Sequence, residues 1–173
     1  GADAVWAGTV AALGAVNGQG IGVAIIDSGI ADHPALRNRV VASVDFTNAA
    51  GRGEDEYGHG THIAGIIAAR SFNNSAEGAE SGMAPAAHLI NLKVLGADGS
   101  GQASDVVEAI DWAIRYRGQF GIRVLNLSLG TAPTQSYKDD PICQAVERAA
   151  KAGLVVVASA GNYGTNEKNQ QIY

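Results

Sequence analysis

At 173 residues, with 46% hydrophobic and 17% charged side chains, the chain holds enough apolar material for one sizeable core and reads as one domain or most of one. A formal charge of −5 offers no basic footprint for nucleic acid. Apolar runs such as Leu154-Val155-Val156-Val157-Ala158 are far too short to span a bilayer, so no membrane partner is expected. No charged segment followed by an apolar signal core opens the chain, and a targeting peptide is expected to be absent or already removed.

In chain order, short β-rich runs alternate with helical patterns. Residues 5–13 form a short Ala-rich helical stretch, and 22–27 and 40–46 read as strands. Residues 59–69 place Ile63, Ile66 and Ile67 at helical spacing; a polar loop (71–82) and a strand (87–94) follow. Residues 103–116 carry Val106, Val107, Ile110, Ala113 and Ile114 at helical spacing, and Ser104 or a neighbour can cap their start. After a strand at 123–128, residues 140–152 form a helix with Pro141 in its first turn and Gly153 at its stop. A last strand (154–159) leads to a polar loop at 164–171.

Several of these strands are nearly continuous apolar runs, the pattern of strands buried on both faces. The alternation predicts an α/β fold: a doubly wound, mostly parallel sheet with helices on both faces, forming one unit over 1–173 with no internal repeat or linker. The 23 glycines punctuate apolar runs, as tight turns require. Cys143 is the only cysteine, which excludes an intrachain disulfide and a Cys-based zinc site. Its helical neighbours Ile142, Ala145, Val146 and Ala149 mark it as a small buried hydrophobe.

Ligands of such sheets bind outside the carboxyl ends of the strands. Asp27, the run Ser128-Leu129-Gly130 and the pair Gly161-Asn162 each fall just after a predicted strand. Alone, Asp27-Ser28-Gly29 reads as a turn. Gly58-His59-Gly60-Thr61 changes that balance, because it sets an accessible His among small residues at a helix start, where the dipole favours a neutral, proton-accepting ring. His62, one turn on, is read as packing or structural, since the loop lacks a third ligand for a zinc site. Asn162 can aim its amide at the oxyanion of a tetrahedral intermediate, or simply end a strand in a turn. Gly18-Gln19-Gly20-Ile21-Gly22 precedes a strand instead of following one, so it is a loop and not a dinucleotide fingerprint.

Together these runs resemble the subtilisin-like serine proteases, the subtilases, over almost the whole chain. Ile26-Asp27-Ser28-Gly29 is similar to the family's first triad signature, His59-Gly60-Thr61-His62 to its second and Ala160-Gly161-Asn162 to its oxyanion element. Met83-Ala84-Pro85, Lys93-Val94-Leu95 and Asn126-Leu127-Ser128-Leu129-Gly130 extend the likeness in family order. The resemblance implies that His59 shuttles the proton of a nucleophilic Ser, that Asp27 orients His59 and that Asn162 donates to the oxyanion. In subtilisin itself, loss of that donor costs about 100- to 1000-fold. It implies further that Gly99, Ser100 and Gly101, with Ser128, Leu129 and Gly130, flank an extended polypeptide substrate, and that Ala158, Ser159 and Ala160 wall the primary specificity pocket.

The family's nucleophile lies in a Gly-Thr-Ser-Met-Ala type sequence at the start of a later helix, and this chain contains no such sequence. The implied domain is therefore incomplete without its C-terminal part. A partner piece carrying the Ser, left bound after cleavage of one protease, is expected. The chain alone is expected to be inactive. The resemblance also implies a propeptide inhibitor, secretion (although intracellular members exist), no organic cofactor and, in many members, calcium as a structural ion. An Asp after a His-Pro pair often serves calcium in the family, but here Ala35 follows His33-Pro34. Asp45 and the Asn73-Asn74 loop carry oxygen ligands of the right type, equally suited to solvated loop positions. The alternatives are a non-catalytic module of the family that binds extended peptides or a partner protein, and a nucleotide-binding domain. The second would need phosphate-loop chemistry after the first strand, which Asp27-Ser28-Gly29 does not supply.

Overall fold

The structure, a computed structural model, describes residues 2–10, 14–47, 51–70 and 82–161. Five parallel strands form one sheet: β1 (Gly22–Asp27), β2 (Val40–Asp45), β3 (His88–Lys93), β4 (Ile122–Leu127) and β5 (Val155–Ala158), in the order β2-β3-β1-β4-β5. Helices α1 (Ala2–Trp6), α2 (His59–Ala68), α3 (Ala103–Tyr116) and α4 (Pro141–Lys151) complete the described elements, with one 3-10 turn at Pro34–Leu36. The chain fills the β3 side of β1 first and then crosses to the β4 side. Strand order thus reverses at β1, the place where ligands bind in such sheets.

The period of two along β1 distributes the core. Ala24 and Ile26 join the apolar cluster built by α3 and α4, while Val23 and Ile25 join the one built by α2. Asp27 continues the second row, so its carboxylate emerges on the α2 side. The same parity on β3 puts Ile90 and Leu92 beneath α3 and α4, and Leu89 beneath α2; Asn91 and Lys93 therefore also face the α2 side. The doubly wound α/β expectation is met.

Several local expectations are corrected. The first helix occupies Ala2–Trp6, not 5–13: Gly8 has φ +70°, which ends the helix, and residues 11–13 lie outside those described. Among the described residues no side chain caps α3, where Gln102 is the N-cap residue and the Ser104 hydroxyl donates to Asp105 at 3.1 Å. The α4 signals hold, with Asp140 accepting from the Cys143 N–H at 2.9 Å, Pro141 opening the helix and Gly153 at φ +87° following it. Cys143 itself is exposed, because the buried stripe of α4 runs through Ala145 and Ala149, with Ile142 and Val146 beside it, and Cys143 falls off that line. On α2 the stripe is Gly60, Ala64 and Ala68, which turns His62 and Ile66 outward; neither packs in the core. Nor is β5 buried on both faces. Val156 packs on the core, whereas Val155 and Val157 are 60% and 50% exposed.

Candidate active site

Asp27 is the last residue of the most buried strand, and its side chain is 1% exposed. Its backbone is fixed from β3, since the Val94 N–H donates to the Asp27 carbonyl at 2.8 Å. The turn that follows requires glycine: Gly29 has φ +117°, and a Cβ there would lie 2.6 Å from the Gly53 carbonyl oxygen. On the other side, Gly58 at φ +95° is the N-cap residue of α2 and delivers His59 as its first residue. The two side chains meet, with His59 Nδ1 at 2.8 Å from Oδ1 and 3.0 Å from Oδ2 of Asp27. The Ser28 N–H also donates to Oδ1, at 2.7 Å.

That geometry decides the tautomer. Facing a carboxylate, Nδ1 carries the proton, which leaves Nε2 as the free acceptor. The His59 side chain is 39% exposed, so Nε2 has access to a reactant. A base oriented by a buried carboxylate is the arrangement that takes a proton from a hydroxyl nucleophile and later delivers it to a leaving group.

The ring of His59 opens on a cleft of about 920 Å³, whose lining includes Gly99, Ser100, Gly101, Ser128, Leu129 and Gly130. Both predicted substrate-binding runs are thus brought beside His59. Ala158 lines the same cleft. Ser159 is tied to the opposite run, its N–H donating to the Leu127 carbonyl and its hydroxyl to the Leu129 carbonyl, both at 3.1 Å. Ala160 is exposed and is not among the lining residues. The turn at Gly99 is ordered by Asp98, which accepts from the Ser100 N–H at 2.9 Å and its hydroxyl at 2.7 Å; these bonds hold the carboxyl below the usual range. Asn162 and the Asn73-Asn74 loop lie outside the described residues.

Two groups not singled out as site residues from the sequence stand out. Asp55 accepts five hydrogen bonds at the start of α2, and Lys93, although buried, donates to the carbonyls of Ser28 and Glu54 at 2.8 Å each. Burial pushes the Asp55 pKa up, but bonds from the Thr61 hydroxyl, the Gly58 and Thr61 N–H groups and the Ser28 hydroxyl outweigh it. They hold the carboxyl below its ordinary value of 3.8. An Asp three residues before a helix N-cap is the signal that could have revealed it. No group of three or more His, Cys, Asp or Glu suited to a metal is present among the described residues. Asp45 does present a buried Oδ2 with no hydrogen-bond partner among the described residues, while its Oδ1 accepts from the N–H and hydroxyl of Thr47. An orphaned carboxylate oxygen fits a hard cation such as calcium.

The parallel sheet thus presents an Asp-oriented His beside an open cleft, an arrangement able to move a proton to and from a bound reactant. The model of the subtilase family matches residues 18–173, and the chain belongs to that family. It is 38% identical over 158 residues to the serine protease AprX of Bacillus subtilis (strain 168), covering 88% of this chain and 35% of that protein. It is 42% identical over 151 residues to subtilisin BL of Lederbergia lenta, covering 87% and 51%. Among solved structures, Sphericase superposes with a TM-score of 0.75 at 34% identity over 96% of this chain and 53% of that one. A cold-adapted subtilisin-like serine proteinase gives 0.71 at 28% identity, over 89% and 51%. The chain therefore spans about half, or less, of the length of these relatives.

Proposed function

We propose that the full-length protein is a serine endopeptidase that cleaves polypeptides through an acyl-enzyme. The observation that carries this reading is the contact of His59 Nδ1 with both oxygens of a buried Asp27, with the ring facing the cleft. His59 removes the proton of an attacking Ser and returns it to the leaving amine; Asp27 holds the tautomer and stabilises the imidazolium. Substrate lies extended between residues 99–101 and 128–130, bound through backbone groups with little regard to sequence. Asn162 supplies an oxyanion donor.

The nucleophile, on this reading, lies in a C-terminal piece of the same protein, and this chain without it does not turn over. Support comes from the absence of a nucleophile motif in the 173 residues and from the relatives, of which the chain covers only 35% and 51%. The exposed valines of the edge strand β5 are a surface such a piece can cover. The same reading includes a propeptide inhibitor, secretion and a structural calcium held in part by Asp45. A fluorophosphonate probe tests the core of it. The full-length protein should label on a Ser outside residues 1–173, and His59→Ala should abolish labelling. A full-length protein that does not label is a peptide-binding module and not a protease.

A further inference from the structure

We infer that Asp55 is a positioning residue for His59, fastening the start of α2 to the loop after β1 so that the imidazole stays in register with Asp27; the inference rests on the endopeptidase reading above. Three segments meet on this one carboxylate. Oδ1 accepts from the Ser28 hydroxyl at 2.8 Å, from the Gly58 N–H at 2.7 Å and from the Tyr57 N–H at 3.2 Å. Oδ2 accepts from the Thr61 N–H at 2.9 Å and from its hydroxyl at 2.6 Å. The links continue outward: the Ser28 hydroxyl accepts from the Gly60 N–H at 2.9 Å, and Thr61 Oγ1 accepts from the Ala31 N–H at 2.9 Å. Ser28 beside Asp27, Gly58 before His59 and Thr61 after it are thereby held by a single group, and Gly60 is held at one remove through the Ser28 hydroxyl. His59 takes its ring contact from Asp27 and its backbone place from Asp55.

The carboxylate is itself presented from the sheet. Lys93 Nζ holds the Glu54 carbonyl at 2.8 Å, Asn91 Nδ2 holds the Gly53 carbonyl at 2.7 Å and the Ile30 N–H holds that same carbonyl at 3.2 Å. Residues 53–55 thus cannot follow α2 if the helix shifts; they resist it. The Nδ1–Oδ contacts of 2.8 and 3.0 Å leave little slack, and a misplacement of about 1 Å near reacting groups costs on the order of 100-fold in rate. Asp55→Asn preserves the shape but replaces one acceptor oxygen with an amide donor. Either the Ser28 and Gly58 side of the fastening or the Thr61 side is then lost.

A double-mutant cycle in the full-length protein, read with a peptide substrate, tests the role. Asp55→Asn should lower kcat by about 10- to 100-fold with KM changed by less than about twofold. In a His59→Ala background the same substitution should change the residual kcat/KM by less than about twofold, because the placement it disturbs no longer matters. An equal loss in both backgrounds, or a loss carried by KM, overturns the assignment. Where Asp55→Asn does not yield folded protein, Thr61→Val removes the 2.6 Å donor but keeps the carboxylate, and its cycle is judged by the same two criteria. Fluorophosphonate labelling of the unsubstituted protein separates the two layers. Labelling with an additive cycle removes the Asp55 role alone, and failure to label removes the endopeptidase reading and takes the Asp55 role with it.

Discussion

Gly60 lies against Gly29 so closely that a Cβ on Gly60 would enter the Gly29 carbonyl oxygen. The contact joins the first turn of α2 to the loop after β1, the two segments that carry His59 and Asp27. Side-chain size at Gly60 therefore sets the gap between the two functional groups.

Gly60→Ala should act against its own helix propensity. Alanine favours a helix over glycine by about 1 kcal/mol, but here the added methyl must push α2 away from backbone that cannot yield. The expected result is a net loss of about 1–3 kcal/mol from overpacking, with at least a tenfold fall in kcat. Urea unfolding and steady-state kinetics on the full-length protein measure both. A more stable variant with normal kcat would show that the two segments separate at no cost.

Much of this was readable from the chain. Five strands and their parallel sense followed from nearly continuous apolar runs, because strands buried in a parallel sheet have little freedom in composition; Asp27 followed from its place at the end of one such run, and His59 from the small residues around it at a helix start. The errors have a common physical origin. Cys143 was assigned to the core from its helical neighbours and His62 to a packing or structural role from its place in the helix, but which face of a helix is buried depends on where the sheet lies, and a shift of one position turns a side chain outward. The exposure of Val155 and Val157 could not be read from their hydrophobicity, since an edge strand and a central strand share one composition. Lys93 escaped notice as a site residue because its partner Ser28 lies 65 residues away, brought near by the register of β1 and β3, whereas most of Asp55's donors are local and only its bond from Ser28, 27 residues away, depends on the fold.

Lys93 is expected to be a structural cation beneath the site. Its side chain is 4% exposed, and Nζ serves two backbone carbonyls; the carboxylate of Glu56, 3.9 Å away, is 67% exposed and contributes little. Lys93→Met fills the space but leaves the Ser28 and Glu54 carbonyls without a donor. The Ser28 carbonyl is buried and the Glu54 carbonyl only partly so; an unsatisfied buried group costs about 1–3 kcal/mol, and chemical unfolding of the full-length variant should show a loss in that range. A loss under about 1 kcal/mol would mean that water replaces the ammonium freely.

For Asp45, the expectation concerns a cation. If its orphaned Oδ2 is a calcium ligand, added calcium should raise the Tm of the full-length protein, and chelation should lower it. Asp45→Asn should flatten that dependence without altering kcat at saturating calcium. A Tm that responds to calcium equally in both proteins places the ion elsewhere, and a Tm that does not respond at all removes the structural ion from this reading.

The charge of Asp55 makes a prediction about acid. Its carboxyl is held below the ordinary 3.8 in the folded chain, so the unfolded chain binds that proton more readily. The stability it contributes is therefore fully present above the ordinary carboxylate range and is lost as pH falls through the depressed folded value. Asp55→Asn, which cannot titrate, lacks that contribution at every pH. The stability gap between the parent and Asp55→Asn should be largest well above the ordinary carboxyl value of 3.8 and should shrink as pH falls below it toward the depressed folded value. Parallel urea titrations at several pH values measure the gap directly. A gap that stayed constant into acid would assign the cost of the substitution to geometry alone. A gap that closes would show that the ionised carboxylate, with its five donors, is what holds α2 against the Asp27 loop.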